Sequence, residues 1–206
     1  AAHGEIEQLM PYLHLPVQSG SDGILQAMNR QHDAAFYLDI VRRLRERRPD
    51  LALSTDFIVG FPGESEKDFE ASLALVRKVG FAAAFSFKYS PRPGTPASLL
   101  ERQLSEAAKE ERLRLLQDAI GETQLAFNRG KIGSRMPVLF EKPGRRTGQL
   151  LGKSPWLQSV HAEGNERLIG RIVDVRIRDA LPNSLSGEIV TGEFAGLASR
   201  PEQAVA

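Results

Sequence analysis

Cysteine does not occur in this sequence. Its absence excludes disulfides, thiol nucleophiles and iron–sulfur clusters held by thiolates of this chain. No apolar run reaches membrane-spanning length, and no signal-peptide pattern opens the chain. Both absences are compatible with a cytoplasmic protein and give no expectation of a membrane partner. A surplus of one charge is also lacking: the formal net charge is +1, so nothing pulls the whole chain towards a polyanion. The segment Ala1–Gln8 has neither a start methionine nor a convincing helix cap. It reads as a chain entered inside a domain.

The sequence does have enough apolar residues for a core. Hydrophobic residues make up 41% of 206, which suits one large or two small globular domains. The charge, balanced overall, is unevenly spread. Residues 131–181 hold ten Lys or Arg against five Asp or Glu, whereas residues 1–130 hold sixteen against eighteen. The later segment is therefore the one expected to meet a polyanion.

Periodicity divides the chain at the same place. Up to residue 130, strand-like and helix-like patterns alternate. Strands are expected at Leu9–Val17, Leu51–Val59 and Phe81–Tyr89, and helices up to Met28, over Ala34–Arg48, from Ser65 to Gly80 and over Ser105–Asn128. Ser65 with Asp68 has the spacing of a capping box. This order implies parallel strands with right-handed crossovers. Three strands do not close a barrel, so a preceding portion is expected. After Gly130 the pattern becomes five short strand candidates, Arg135–Phe140, Gln149–Leu151, Leu157–His161, Leu168–Arg178 and Leu185–Val190, with turn residues between them. That pattern predicts a small closed barrel of OB-like character. Residues 193–206 read as a flexible tail.

Three stretches can carry chemistry, and all three follow strands, where ligands sit in parallel α/β folds. Asp56 through Glu64 runs from a strand into a Gly-rich turn. Gly60 and Gly63 can let backbone approach a flat ligand, and Ile58 can offer a base an apolar face; an ordinary tight turn fits equally well. His14 through Ser21 places Gln18, Ser19 and Ser21 at a strand end, within reach of ligand hydroxyls or a carboxylate. Ser21 can also simply cap a helix, and a lone His14 is more often a hydrogen-bonded core residue than a base. In the third stretch, Tyr89 through Pro96, Arg92 can hold a phosphate or carboxylate or can stand in solvent. Lys88 before it is expected to point into a barrel interior, where a lysine needs an anionic partner. In the later segment Lys142, Arg145, Arg146, Lys153, Arg171, Arg176 and Arg178 surround Trp156 and His161. Basic side chains around an aromatic on a small barrel suit RNA. The other reading is a basic surface over a core tryptophan.

Taken in order, these strings resemble the MiaB family of methylthiotransferases. The resemblance runs through Pro11–Ser21, Met28-Asn29-Arg30, Leu53–Glu64 and Phe85–Pro96. It ends in Gly148–Lys153 and Ser184–Glu188, which look like a TRAM domain. It implies the following fold: residues 1–130 as the C-terminal half of an open radical S-adenosylmethionine (β/α) barrel, and residues 131–192 as an OB-like RNA-binding TRAM barrel. The activity implied is radical methylthiolation of isopentenyl-modified adenosine beside the anticodon of tRNA. S-adenosylmethionine and [4Fe–4S] clusters are the implied cofactors. The anticodon stem-loop and an electron donor such as flavodoxin are the implied partners. In this family the strand-to-loop motif contacts adenine, which maps onto Ile58, Gly60 and Glu64, while Gln18, Ser19 and Ser21 are the candidates for the ribose and methionine side. Without cysteine this chain supplies no cluster ligand, so no catalytic residue is assigned to it. Two rivals are a RimO-type enzyme acting on a ribosomal-protein aspartate and an RNA-binding module without chemistry.

Overall fold

The computed structural model describes residues 2–190, which form two compact units meeting at Gly130 and Lys131. The tail at 193–206 lies outside the described residues. Unit one begins with a four-residue helix, α1 (Ala2–Glu5), and continues β1 (Tyr12–His14), α2 (Asp22–Ala27), α3 (Ala34–Arg47), β2 (Ala52–Val59), α4 (Glu66–Val79), β3 (Ala83–Lys88) and α5 (Glu106–Arg129). The sheet order is β1-β2-β3 and both pairings are parallel. The alternation of elements follows the sequence reading, and the boundaries of α3, β2, β3 and α5 fall within two residues of it. β1 is the exception. Its nine expected residues shrink to three, because the backbone after His14 leaves the ladder and rejoins it only where Gln18 bridges Phe57.

Local chemistry explains the helix starts. Ser21, Asp33, Ser65 and Ser105 each accept a backbone N–H from the first turn of the helix that follows. The Ser65–Asp68 capping box is present at α4, and Gly80 closes that helix in the left-handed conformation. The helices cover one sheet face. Leu53, Phe57 and Val59 of β2 pack there with Val41 of α3, Phe69 and Val76 of α4, and Leu116 of α5. The other face is more open. Phe85 and Phe87 on it are 55% and 54% exposed.

Unit two is a closed five-stranded barrel, β4 (Arg135–Pro143), β5 (Gln149–Lys153), β6 (Ser159–Glu163), β7 (Ile172–Leu181) and β8 (Ser184–Ile189), in the order β4-β5-β6-β8-β7. β6 and β8 pair in parallel and every other pair is antiparallel. Alternation fills the interior with Val138, Phe140, Leu150, Val160, Val175, Ile177 and Leu185, all at most 1% exposed. The alternate residues face outwards. No helix among the described residues is long and apolar enough to cross a membrane.

Candidate functional site: the strand ends and the barrel surface

The loop after β1 is fastened on two sides. Towards β2, Val17 N–H donates to Thr55 Oγ1 (3.0 Å), Gln18 N–H to the Asp56 carbonyl (2.9 Å), and Ile58 N–H to the Gln18 carbonyl (2.9 Å). Gln18 pays for this bridge with a φ of 77°, which non-glycine residues rarely adopt. Towards α4, Gly20 N–H donates to Ser72 Oγ (2.9 Å) and Ser21 Oγ to Asp68 Oδ1 (2.5 Å). Ser19 is fully buried, with its hydroxyl 3.4 Å from Ser72 Oγ. Ser19 and Ser21 thus use their hydroxyls to seat the loop, and Ser21 also caps α2. Burial alone would push the Asp68 carboxyl up. Hydrogen bonds from Ser21 and Ser65, with the Arg112 charge, outweigh it and hold the group below the usual aspartate range.

The loop after β2 turns through two left-handed glycines, Gly60 (φ 72°) and Gly63 (φ 84°). Glu64 closes it from beneath. Its Oε2 accepts Gly60 N–H (2.7 Å) and Arg112 Nη1 (2.6 Å), and the residue is 4% exposed. Burial pushes the Glu64 carboxyl up, while Gly60 and Arg112 restrain the rise. Glu64 therefore acts on the turn itself, and its carboxylate is already engaged from within.

A Cβ on Gly60 would grow towards α5, 2.5 Å from Lys109 Cγ. The glycine serves the turn and the close passage of Lys109, which is 2% exposed. Gly60→Ala is expected to destabilise the chain by about 1–2 kcal/mol from handedness alone, with an added steric cost. Denaturant melts in wild-type and Lys109→Ala backgrounds separate the two: the truncation should remove the steric part and leave the rest. A Gly60→Ala chain as stable as wild type would show that the turn is not constrained.

On the open face the strands bring together polar residues that sequence reasoning left apart. Tyr12 O–H donates to Ser54 Oγ (2.7 Å), Ser54 Oγ lies 2.8 Å from His14 Nδ1, and His14 Nε2 lies 3.4 Å from Asp56 Oδ2. Phe85 meets the His14 ring edge-on at 6.2 Å. By strand register Ile58 and Phe87 are the next pair along this face. The sequence signal was a polar residue at every second position of β2, Ser54 and Asp56. The register that sets them beside His14 was not legible.

The expected direction of Lys88 is corrected. β3 alternates, so Phe85 and Phe87 take the open face and Lys88 the face covered by α5. There its Nζ lies 3.0 Å from Glu110 and 3.4 Å from Glu106. The anionic partners a lysine needs are thus two glutamates of the chain. Arg92 is exposed in the loop beyond, its carbonyl accepting from Thr95.

On the barrel, the candidates separate. Arg145 and Arg146 are exposed in the turn between β4 and β5, and Lys142 is exposed beside the bulge that precedes it. Lys153 reaches Ser159 Oγ (3.1 Å). Trp156 is half-buried against the barrel core, with Lys131 Nζ 3.5 Å from its ring centroid. Core packing and a cation therefore already engage the indole. A cleft of about 1100 Å³ opens on the outer face of β5, β6 and β8, and Arg146 and His161 line it.

The comparisons with known proteins follow this division. Residues 5–76 match the Radical SAM superfamily and residues 129–190 the TRAM domain. The chain thus joins part of a radical SAM domain to a TRAM domain. It belongs to the MiaB family. It is 57% identical to the tRNA-2-methylthio-N(6)-dimethylallyladenosine synthase of Sphingopyxis alaskensis over 91% of this chain and 42% of that protein. Against the protein of that name from Maricaulis maris it is 57% identical over 91% of this chain and 41% of the relative. The chain spans about two fifths of the length of the curated relatives it matches. A solved structure, the radical SAM enzyme coproporphyrinogen III oxidase (HemN) from Escherichia coli, shares 20% identity at a TM-score of 0.48, over 55% of this chain and 27% of that one.

Proposed function

We propose that the whole protein adds a methylthio group to N6-isopentenyl-modified adenosine in cytoplasmic tRNA, and that this chain contributes part of the cofactor surface and the RNA-binding barrel. The observation that carries this is continuous similarity, across both units, to relatives of one name. Three parallel strands with helices packed on one face, and aromatic side chains exposed on the other, support reading unit one as part of an open radical SAM barrel. Unit two is read as an OB-like TRAM barrel that takes the anticodon stem-loop.

S-adenosylmethionine would lie at the strand ends. Ile58 would meet it from the open sheet face, where it pairs with Phe87, and Gln18 from the adjoining loop that bridges to that strand end. Ser19, Ser21, Gly60 and Glu64 would hold those loops in shape, because their polar groups already do so. Arg92 remains a candidate for its carboxylate. When bound, the cofactor supplies a 5′-deoxyadenosyl radical. The [4Fe–4S] clusters do not fit this chain, which has no cysteine to bind them, so their ligands and the meeting point with an electron donor such as flavodoxin are assigned elsewhere in the whole protein.

The test is nucleoside analysis of tRNA from a strain lacking the gene. The methylthio group should vanish from the adenosine beside the anticodon while the isopentenyl group stays. Intact tRNA with loss of a methylthio group from a ribosomal-protein aspartate would select the RimO-type reading instead.

A further inference from the structure

The cleft around His161 differs from the surface that motif reading favoured. Its floor is the outer face of β6 and β8, where the register sets His161 against Ser186. Serine is small, so one side of the imidazole is not walled in by its neighbour on β8. Arg146 enters from the β4–β5 turn, and Arg167 and Arg171 from the connection between β6 and β7. All three are exposed, and none has a side-chain ion pair or hydrogen bond among the described residues. Arg178, also on the cleft, is by contrast held by Glu188 at 2.8 Å. Glu163 also lines the groove, but the three unpaired guanidinium groups leave its lining net positive and able to take more than one anion.

The size of the groove indicates the kind of ligand. At about 1100 Å³ it lies at the upper end of small-molecule pockets, about 300–1,000 Å³, and has room for several linked anions. The imidazole adds a second feature. His161 Nδ1 is buried and has no hydrogen-bond partner, so no hydrogen bond at that atom fixes the ring. Burial, and then the charge of Arg145, hold His161 below the ordinary imidazole range. At neutral pH it is therefore an uncharged aromatic ring with one donor and one acceptor, suited to a base more than to a phosphate.

We propose that this groove binds a single-stranded RNA segment, with Arg146, Arg167 and Arg171 on successive phosphates and the His161 ring stacked on a base. The proposal rests on the RNA-binding reading of the barrel and moves its centre from Trp156 and Lys153 to His161. A single strand is specified because a base must be unstacked from its neighbours to lie on the ring.

The experiment uses the complete chain and three fluorescent RNAs: an anticodon stem-loop, an unstructured strand of the loop sequence and a blunt duplex of matched length. Affinities are measured over a range of salt concentrations. Arg167→Ala with Arg171→Ala should weaken binding of the single strand about tenfold at low salt. The log–log salt slope should shrink by about 1.4, at about 0.7 for each phosphate no longer neutralised. Neither side chain has a partner among the described residues, so the melt should not change. His161→Ala should weaken binding about tenfold with the slope unaltered, and His161→Phe should restore most of the affinity. Arg43→Ala with Arg47→Ala on α3, a charge-matched control, should bind as wild type. Three results would count against the proposal. A wild-type chain that binds none of the RNAs overturns the RNA reading and the groove with it. Binding that survives the groove variants but disappears in Lys142→Ala with Lys153→Ala overturns the groove alone. A duplex bound as tightly as the single strand, with His161→Ala silent, removes the stacked base.

Discussion

Replacing Arg112 with alanine is expected to cost about 3–5 kcal/mol, because it strands a buried carboxylate. The Glu64 side chain is fully buried and that of Arg112 is 12% exposed. Arg112 Nη1 serves both Glu64 Oε2 and the Glu64 carbonyl, and its guanidinium lies 5.4 Å from the Phe69 ring. Glu64 Oε1 has no hydrogen-bond partner already. Once Arg112 is gone, only Gly60 N–H meets the charge. The same geometry predicts the pH dependence. Burial raises the folded Glu64 carboxyl above its unfolded value. A raised group contributes most below the unfolded carboxylate range, and that contribution is lost as pH rises through the folded value. Without Arg112 the folded value rises further, so the deficit of the variant should be small in acid and grow towards neutral pH. Far-ultraviolet circular dichroism melts between about pH 5 and about pH 8 read this directly. Adding Glu64→Gln, which removes the stranded charge, should recover much of the stability at neutral pH. A deficit equal at every pH, with no recovery in the double variant, would mean that Arg112 acts through packing on Phe69 alone.

The pattern of elements was legible because it rests on local rules. Capping serines, a closing glycine and stripes of apolar residues at helical spacing place α3, α4 and α5, and turn residues set off the strands of the barrel, although β7 begins at Ile172, four residues after the expected Leu168, which ends a turn. What the sequence hid was register and direction. Leu9–Val17 is apolar enough for a long strand, yet Gln18 adopts a left-handed conformation and the ladder holds only Tyr12–His14. Lys88 was misdirected for a similar reason: its side follows from the pairing of Val59 with Lys88, and its partners Glu106 and Glu110 lie some twenty residues away on α5. The Tyr12–Ser54–His14–Asp56 chain needs two strands in register before it exists. On the barrel, charge density singled out residues 131–181 as a whole, whereas the groove joins residues from the β4–β5 turn and the β6–β7 connection, which only the closed topology brings together.

Two glycines three residues apart show how much of the loop after β1 is fixed by packing, and equal substitutions there should have opposite signs. A Cβ on Gly20 would lie 2.4 Å from the Ala71 carbonyl oxygen and 2.7 Å from Ser72 Cα. These are backbone atoms of α4, so the loop itself must move. Gly20→Ala is expected to destabilise by about 1–3 kcal/mol, the usual range for overpacking. The shift also strains the bonds from Gly20 and Ser21 to Ser72 and Asp68. Gly23 lies in the first turn of α2, and its Cβ would meet nothing nearer than Ser21 Oγ at 3.8 Å. Gly23→Ala is expected to stabilise by up to about 1 kcal/mol through helix propensity. In the whole protein the Gly20 variant should also lose cofactor affinity, since Gln18 is displaced with the loop, while the Gly23 variant keeps it. Chemical denaturation of both variants, with calorimetric titration of S-adenosylmethionine into the whole protein, checks both effects. A stable Gly20→Ala protein with unchanged cofactor affinity would show that the loop is free to lift from α4, and Gln18 would no longer be held in place by that contact.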